Sequence, residues 1–155
     1  MSLRALAAFT LLVCLASPAF ADDSVAIGGQ VQHPGPVTVA DLQKLPATTV
    51  SISFMTDKGQ ESATYTGALL WTVLGNAAPI DAPGKNSSLR HTYLVTASDG
   101  YAVAVSEGEI DPHFEGKSVI LAYAKDGKPS GIRLIVPGDK HGGRAVRDVV
   151  KIEVR

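Results

Sequence analysis

The sequence predicts an α+β fold, a single domain of mixed, largely antiparallel β-sheets with few short helices. Most of its periodic segments are short, rich in β-branched residues and alternate between apolar and polar side chains, as strands do. Asp99-Gly100 and Asp126-Gly127 supply turns between such segments. Helical spacing is confined to brief stretches. Many strands, several hairpins and few helices together define the α+β class.

The first 21 residues predict a cleavable secretory signal peptide. One positive charge, Arg4, precedes an apolar run over 5–16 that is too short to span a membrane. Pro18 breaks that run, and Ala19-Phe20-Ala21 places small residues where a signal peptidase reads them. The alternative is a retained N-terminal anchor. We therefore expect a periplasmic or secreted protein that has no membrane attachment after cleavage.

The mature chain, residues 22–155, has the length of one domain. Removing Arg4 leaves thirteen basic and fifteen acidic residues, so the net charge is -2 with histidine neutral. Nucleic-acid-binding proteins usually carry an excess of Lys and Arg, and we expect no nucleic-acid partner here. The only cysteine, Cys14, lies in the signal peptide. The exported domain therefore has no disulfide, thiolate metal ligand or cysteine nucleophile.

The first half of the mature chain predicts three strands and two helices. A strand over 24–31 ends at the turn cluster 33–36, where prolines remove backbone donors. Thr38 fits the N-cap of a short helix that stops before Pro46. Strands follow at 48–55 and 61–66, and a helix at 68–77 covers the sheet. The apolar face of that helix has helical spacing and carries Leu70, Val73, Leu74 and Ala77. Trp71 lies beside this face and is expected to be a core residue rather than a cofactor contact.

The second half predicts a hairpin at Asp99-Gly100, a helical turn that starts at Ser106, and three further strands. The strands are expected over 118–124, over 131–136 and over about 146–154. Between the last two strands lies the stretch PGDKHGGRAVR, after which the chain is expected to resume as a strand carrying Arg144 and Arg147.

The glycine-rich loop before the last strand has the composition of an anion site. Glycines let a backbone approach an anion closely, Lys and Arg neutralise its charge, and arginine offers a planar pair of donors. The alternative is that Gly138, Gly142 and Gly143 simply turn a hairpin. Lys140, Arg144 and Arg147 are then solvated.

The order of motifs along the chain resembles the molybdopterin-binding domain of the sulfite oxidase family, which includes periplasmic methionine sulfoxide reductase catalytic subunits. The resemblance runs from about Gly29 to the C-terminus. It rests on GGQVQHPGPVTVADLQKLP, YTGALLWTVL, SDGYAVAVSEGEI, ILAYAKDGKP and GIRLIVPGDKHGGRAVRDVVKIEV.

The resemblance implies that the loop packs near a pterin cofactor and contacts its phosphate and ring. It also implies that the hairpin at Asp99 lies near this site, although Asp99 can serve only as a turn residue and Tyr101 only as a packing residue. The candidate cofactor-binding residues are Gly138, Lys140, His141, Gly142, Gly143, Arg144, Arg147, Asp99 and Tyr101.

One departure from the family pattern concerns the metal. In catalytic members, a cysteine at the end of the second predicted strand binds molybdenum. Here the candidate positions are Ser53, Phe54, Met55 and Thr56. Neither a hydroxyl nor a thioether replaces a thiolate. Residues 1–21 also lack the twin arginines by which folded, cofactor-loaded members are typically exported.

The sequence therefore favours an exported, non-catalytic or degenerate module for a pterin or a small anion. We expect no bound molybdopterin, and a partner that is an exported redox or sensor protein. The alternative is a molybdenum-pterin oxidoreductase that works without a protein thiolate ligand, so the sequence leaves open whether the protein is an enzyme. A hydrolase is disfavoured because no G-x-S-x-G motif is present. The histidines share no metal-ligand spacing; they are His33, His91, His113 and His141.

Overall fold

A computed structural model describes residues 23–155, which contain nine strands, three α-helices and two short 3-10 helices. The predicted signal peptide lies outside these residues. The strands are β1 (Ser24–Gly29), β2 (Gly35–Thr38), β3 (Ala47–Thr56), β4 (Gly59–Leu69), β5 (Thr92–Ala97), β6 (Ala102–Ser106), β7 (Ile120–Lys125), β8 (Lys128–Ile135) and β9 (Val149–Val154). The helices are α1 (Val39–Lys44), α2 (Leu70–Ala77) and α3 (Glu107–Ile110), and the 3-10 helices are Ser87–Arg90 and Gly142–Arg144.

The strands form two sheets. The five-stranded sheet has the order β2-β1-β9-β5-β6, and the four-stranded sheet has the order β3-β4-β7-β8. Every pair of neighbouring strands is antiparallel except β1 and β9, which run parallel. The predicted α+β class, with mixed and largely antiparallel sheets, is confirmed.

The two faces of the four-stranded sheet are buried differently. Because side chains alternate along a strand, Leu121 and Leu134 point into the main core, which they share with the five-stranded sheet and α2. Their neighbours Ile120, Ala122 and Ile135 point the other way and form a second, smaller cluster with residues of β4. The segment that follows β8 packs over this smaller cluster through Ala145.

Several local predictions are confirmed. Thr38 caps α1 and forms a capping box with Asp41, and Ser106 forms another with Glu109 at the start of α3. The Asp99-Gly100 turn joins β5 to β6, although only Gly100 has a positive φ, of 87°. Trp71 packs against the main core. No helix among residues 23–155 is both long and apolar enough to cross a membrane.

The predictions around the last strand were wrong in two respects. β9 begins at Val149 rather than near Val146, because Asp148 has a left-handed φ of 48° that interrupts an extended chain. Arg144 therefore lies in a 3-10 helix, and Arg147 lies in the bend before β9. The alternative in which the glycines turn a hairpin does not hold either, since β8 and β9 belong to different sheets.

Candidate functional site

The segment 137–147 crosses from the four-stranded to the five-stranded sheet and touches two other parts of the chain. On one side, the Met55 amide at the end of β3 donates a hydrogen bond to the Lys140 carbonyl, 3.0 Å away. On the other side, the Tyr101 hydroxyl donates to the Gly143 carbonyl at 2.8 Å. The segment thus lies between the end of β3, where the family's metal-ligand cysteine was expected to be missing, and the Asp99-Gly100 hairpin, which was expected to lie near the site.

Two open grooves flank the segment, and both are lined by Gly142 and Gly143. The Tyr101 groove has a volume of about 360 Å³. The Met55 groove has a volume of about 600 Å³. The first is lined by Ala97, Ser98, Asp99, Tyr101, Gly142, Gly143, Ala145, Val146, Arg147 and Asp148, and the second by Met55, Thr56, Asp57, His141, Gly142 and Gly143.

The predicted site residues divide between these grooves and the surface around them. Asp99, Tyr101 and Arg147 are brought together at the Tyr101 groove, and His141 lies at the Met55 groove. Lys140 is exposed. Gly138 forms part of the turn after β8, where its φ of 87° suits glycine.

The four positions expected to match the ligand cysteine carry no thiol and have other roles. Ser53 and Met55 are exposed, whereas the Phe54 ring is buried against the loop. The Thr56 hydroxyl donates to the Gly59 carbonyl at 2.8 Å. A Cβ atom on Gly142 would lie 2.7 Å from Phe54 Cε2, so packing against Phe54 requires a glycine at this position.

Arg144 is held by carboxylates on two sides. Its Nε and Nη2 atoms donate to the two oxygens of Asp139 at 2.9 and 2.6 Å, and its Nη1 atom donates to Glu109 Oε1 at 2.8 Å. These hydrogen bonds, of which those to Asp139 have the larger effect and the one to Glu109 the smaller, raise the pKa of Arg144 above its usual value. Burial alone would raise the pKa of Glu109, but the hydrogen bonds from Arg144 and Ser106 outweigh it and lower that pKa.

The charges around Arg144 therefore compensate one another. Lys117 also approaches Glu109, to 3.6 Å, and pairs more closely with the exposed Glu115 at 3.0 Å. We call Arg144, Asp139, Glu109 and Lys117 the Arg144 network. Since three of the guanidinium N–H directions already meet carboxylates, Arg144 fixes the loop to α3 and has little charge left for an anion.

Arg133 is a candidate that the loop motif did not identify. It lies in β8 with a relative exposure of 9%, and its Nη1 atom donates to the Tyr65 hydroxyl at 2.7 Å. Its Nε atom is buried and has no hydrogen-bond partner among residues 23–155. An unpaired buried N–H group costs about 1–3 kcal/mol, more when the group is charged. A single arginine inside the apolar run GIRLIV was the sequence signal for this site.

Two further cations surround the same carboxylate as Arg133. Lys125 donates to Glu61 Oε1 at 2.9 Å, Arg133 Nη1 lies 3.8 Å from the same oxygen, and Arg147 Nη2 lies 3.8 Å from Glu61 Oε2. We call these four residues and Tyr65 the Arg133 cluster. It holds three cations and one carboxylate, with Asp148 acting on Arg133 from farther away.

The pKa values in the Arg133 cluster reflect this excess of positive charge. Burial lowers the pKa of Arg133, and the charge of Arg147 lowers it further. The hydrogen bond from Lys125 is the main cause that lowers the pKa of Glu61. The side chain of Arg147 is 69% exposed, so the cluster reaches from a buried guanidinium to solvent beside the Tyr101 groove. An anion at this place would gain charge-assisted hydrogen bonds.

The histidines do not form a site. His91 is buried and paired with Asp81 through Nε2 at 2.8 Å, and His113 is paired with Asp111 through Nδ1 at 2.8 Å. Within the described part of the chain, no group of three or more His, Cys, Asp or Glu residues is placed to hold a metal ion.

Comparison with known proteins gives similarity to solved structures but no match in sequence. No family model matches the chain, and no curated protein sequence matches it. Among solved structures, the fold is similar to the crystal structure of the sulfane dehydrogenase SoxCD from Paracoccus pantotrophus, with a TM-score of 0.66 and 21% sequence identity. The match covers 84% of this chain but 37% of the SoxCD chain, so the protein spans well under half the length of that neighbour. At this identity the similarity concerns the fold.

Proposed function

We propose that the protein is an exported, non-catalytic module that binds a small anionic or pterin-like ligand through the Arg133 cluster. The observation that supports this proposal is the excess of positive charge around Glu61, which Lys125, Arg133 and Arg147 all approach. In addition, the buried Arg133 Nε atom has no hydrogen-bond partner within the described chain. A phosphate-bearing ligand beside the exposed Arg147 would balance the excess positive charge of the cluster. The fold similarity to a dehydrogenase and the motif order resembling a molybdopterin-binding domain support a pterin-type scaffold.

The residues present fit only part of a molybdenum-pterin cofactor. The Arg133 cluster has the charge and donors for a phosphate, and the glycines 142 and 143 line both neighbouring grooves. The metal does not fit, because Ser53, Phe54, Met55 and Thr56 offer no thiolate and Cys14 is the only cysteine. We therefore assign no redox step to the protein. A partner, if the module reports on or delivers its ligand, would be an exported redox or sensor protein.

The anion site is tested by calorimetric titration of the purified protein with inorganic pyrophosphate at low ionic strength. Arg147→Gln removes the exposed cation of the cluster and should weaken binding by about tenfold or more. Arg90→Gln is the matched control, since Arg90 is an exposed arginine in the 3-10 helix before β5. Absence of binding by the native protein would refute the proposal, and so would an equal effect of the two substitutions.

A second measurement separates the proposed module from the oxidoreductase alternative. The protein is purified from the periplasm of molybdate-replete cells, and its molybdenum content and the fluorescence of oxidised pterin are measured. We expect substoichiometric molybdenum because the chain supplies no thiolate. Stoichiometric molybdenum with pterin would instead support an oxidoreductase that holds its cofactor through phosphate and ring contacts alone.

A further inference from the structure

The four edge strands of the two sheets are protected very unequally. β2 carries Pro36, β8 begins with Lys128-Pro129, and β6 is only five residues long and leads directly into α3. Such features prevent an edge from pairing with another chain. β3 has none of them: its ten residues, ATTVSISFMT, include no charge and no proline. β3 is thus the one edge that is both long and unprotected in the part of the chain that the structure describes.

One hydrogen bond shows which residues of β3 point their backbone groups away from β4. The Met55 amide points away from β4, because it donates to the Lys140 carbonyl on the opposite side. Backbone direction alternates along an antiparallel strand, so Thr49, Ser51 and Ser53 also point their N–H and C=O groups away from β4. Within residues 23–155, no backbone or side-chain group pairs with these outward groups.

The side chains of β3 form two rows with different chemistry. One row is exposed, begins with Ala47, ends with Met55 and carries hydroxyls between them. These hydroxyls, on Thr49, Ser51 and Ser53, already hydrogen-bond to hydroxyls of β4 at 2.9 to 3.1 Å. The other row contains Val50 and Ile52, which pack only partly buried against the smaller apolar cluster. A strand that matches both rows would carry hydroxyls on one face and β-branched apolar residues on the other.

We propose that this strand is β3 of a second copy of the chain, paired antiparallel about a two-fold axis. All outward backbone N–H and C=O groups of residues 47–53 form hydrogen bonds between the copies in one register. In this register Ala47 of one copy faces Ser53 of the other, Thr49 faces Ser51, and Val50 lies on the two-fold axis. The pairing joins the two four-stranded sheets into one continuous sheet. It sets the Thr49 hydroxyl against the Ser51 hydroxyl of the second copy and brings no like charges together. It also covers the exposed parts of Val50 and Ile52, which face Val50 and Thr48 of the second copy.

Two double substitutions test both the association and its register. In T49K/S51K, each introduced lysine faces a lysine of the second copy, whereas in T49K/S51E each lysine faces a glutamate. Both variants lose the same two hydroxyl contacts within the chain, so their folded monomers are matched. Sedimentation velocity over a range of concentrations should give a dimer for the native protein and for T49K/S51E. The dimer of T49K/S51K should dissociate at a protein concentration about tenfold higher, or more, than that of T49K/S51E.

A third variant tests the backbone directly. Ser51→Pro removes one outward N–H group without removing a backbone hydrogen bond to β4 and should abolish the dimer. Ser51→Ala loses the same contact between the Ser51 and Thr64 hydroxyls but should keep the dimer. Circular dichroism checks that each variant is folded. A native protein that is monomeric at every concentration would overturn the proposal, as would equal dissociation of the two double variants.

Discussion

Arg144, within the segment 137–147, and Arg133, in the strand before it, differ in what surrounds them. Arg144 makes three short hydrogen bonds to two carboxylates. Arg133 donates to a neutral phenol, lies 3.8 Å from a carboxylate that Lys125 already binds, and keeps one buried N–H unpaired within the described residues. A basic residue in a glycine-rich loop is therefore not always free to bind an anion. Whether it can do so depends on how many carboxylates already accept its hydrogen bonds.

The largest change in stability is expected when Arg144, whose charge is balanced by two carboxylates, is replaced. Arg144→Met should lower the free energy of unfolding by about 2–3 kcal/mol, because it leaves Asp139 and Glu109 partly buried without their main partner. Urea denaturation measures the change. Arg147→Met is the control, and because Arg147 is mostly exposed its effect should stay within about 0.5 kcal/mol. Similar losses in the two variants would contradict the distinction between the two regions.

A smaller effect is expected in the dependence of stability on pH. Glu109 and Glu61 both have pKa values lowered in the folded state. Their stabilisation is present above the ordinary glutamate pKa of 4.5 and is lost as the pH falls through the folded pKa, since the unfolded chain binds protons first. Arg144→Met should flatten the acid side of the stability curve by removing part of the Glu109 contribution. An unchanged slope below pH 4.5 would show that Arg144 does not control this carboxyl group.

The smallest change in stability is expected when Arg133, which has no close carboxylate of its own, is replaced. Arg133→Met replaces a buried charge with an apolar side chain of similar length beside the smaller cluster, so the free energy of unfolding should change by less than about 1 kcal/mol or increase. Pyrophosphate binding should nevertheless be lost. A stable variant that still binds pyrophosphate would remove Arg133 from the proposed site, whereas strong destabilisation would make Arg133 a structural residue like Arg144.

Local sequence signals predicted most of the fold correctly. The turn at Asp126-Gly127, where both residues have positive φ, and the capping boxes at Thr38 and Ser106 are determined by a few adjacent residues. The last strand was placed too early because Val146 is apolar and buried, although it lies outside the strand and accepts a hydrogen bond from Leu134 through its carbonyl. Burial of a valine does not distinguish a strand from a packed loop.

The site was less predictable because its contacts join residues that are distant in sequence. The motif order indicated that Tyr101 and the glycine-rich loop adjoin, and the structure places the Tyr101 hydroxyl 2.8 Å from the Gly143 carbonyl. No local pattern shows that Arg144 meets Glu109, or that Arg133 and Arg147 approach one glutamate in β4. Whether the predicted loop residues bind a cofactor stays a prediction.

The position of β9 has a consequence for the order of folding. β9 comes last along the chain but lies in the centre of its sheet, where it bridges β1, from the first part of the domain, and β5. Before residues 149–154 are available, the β1–β2 and β5–β6 hairpins have no strand to join them. Contacts between such distant segments also slow folding, because a long loop must close first. The domain is therefore expected to stay incompletely folded until residues 149–154 have been made.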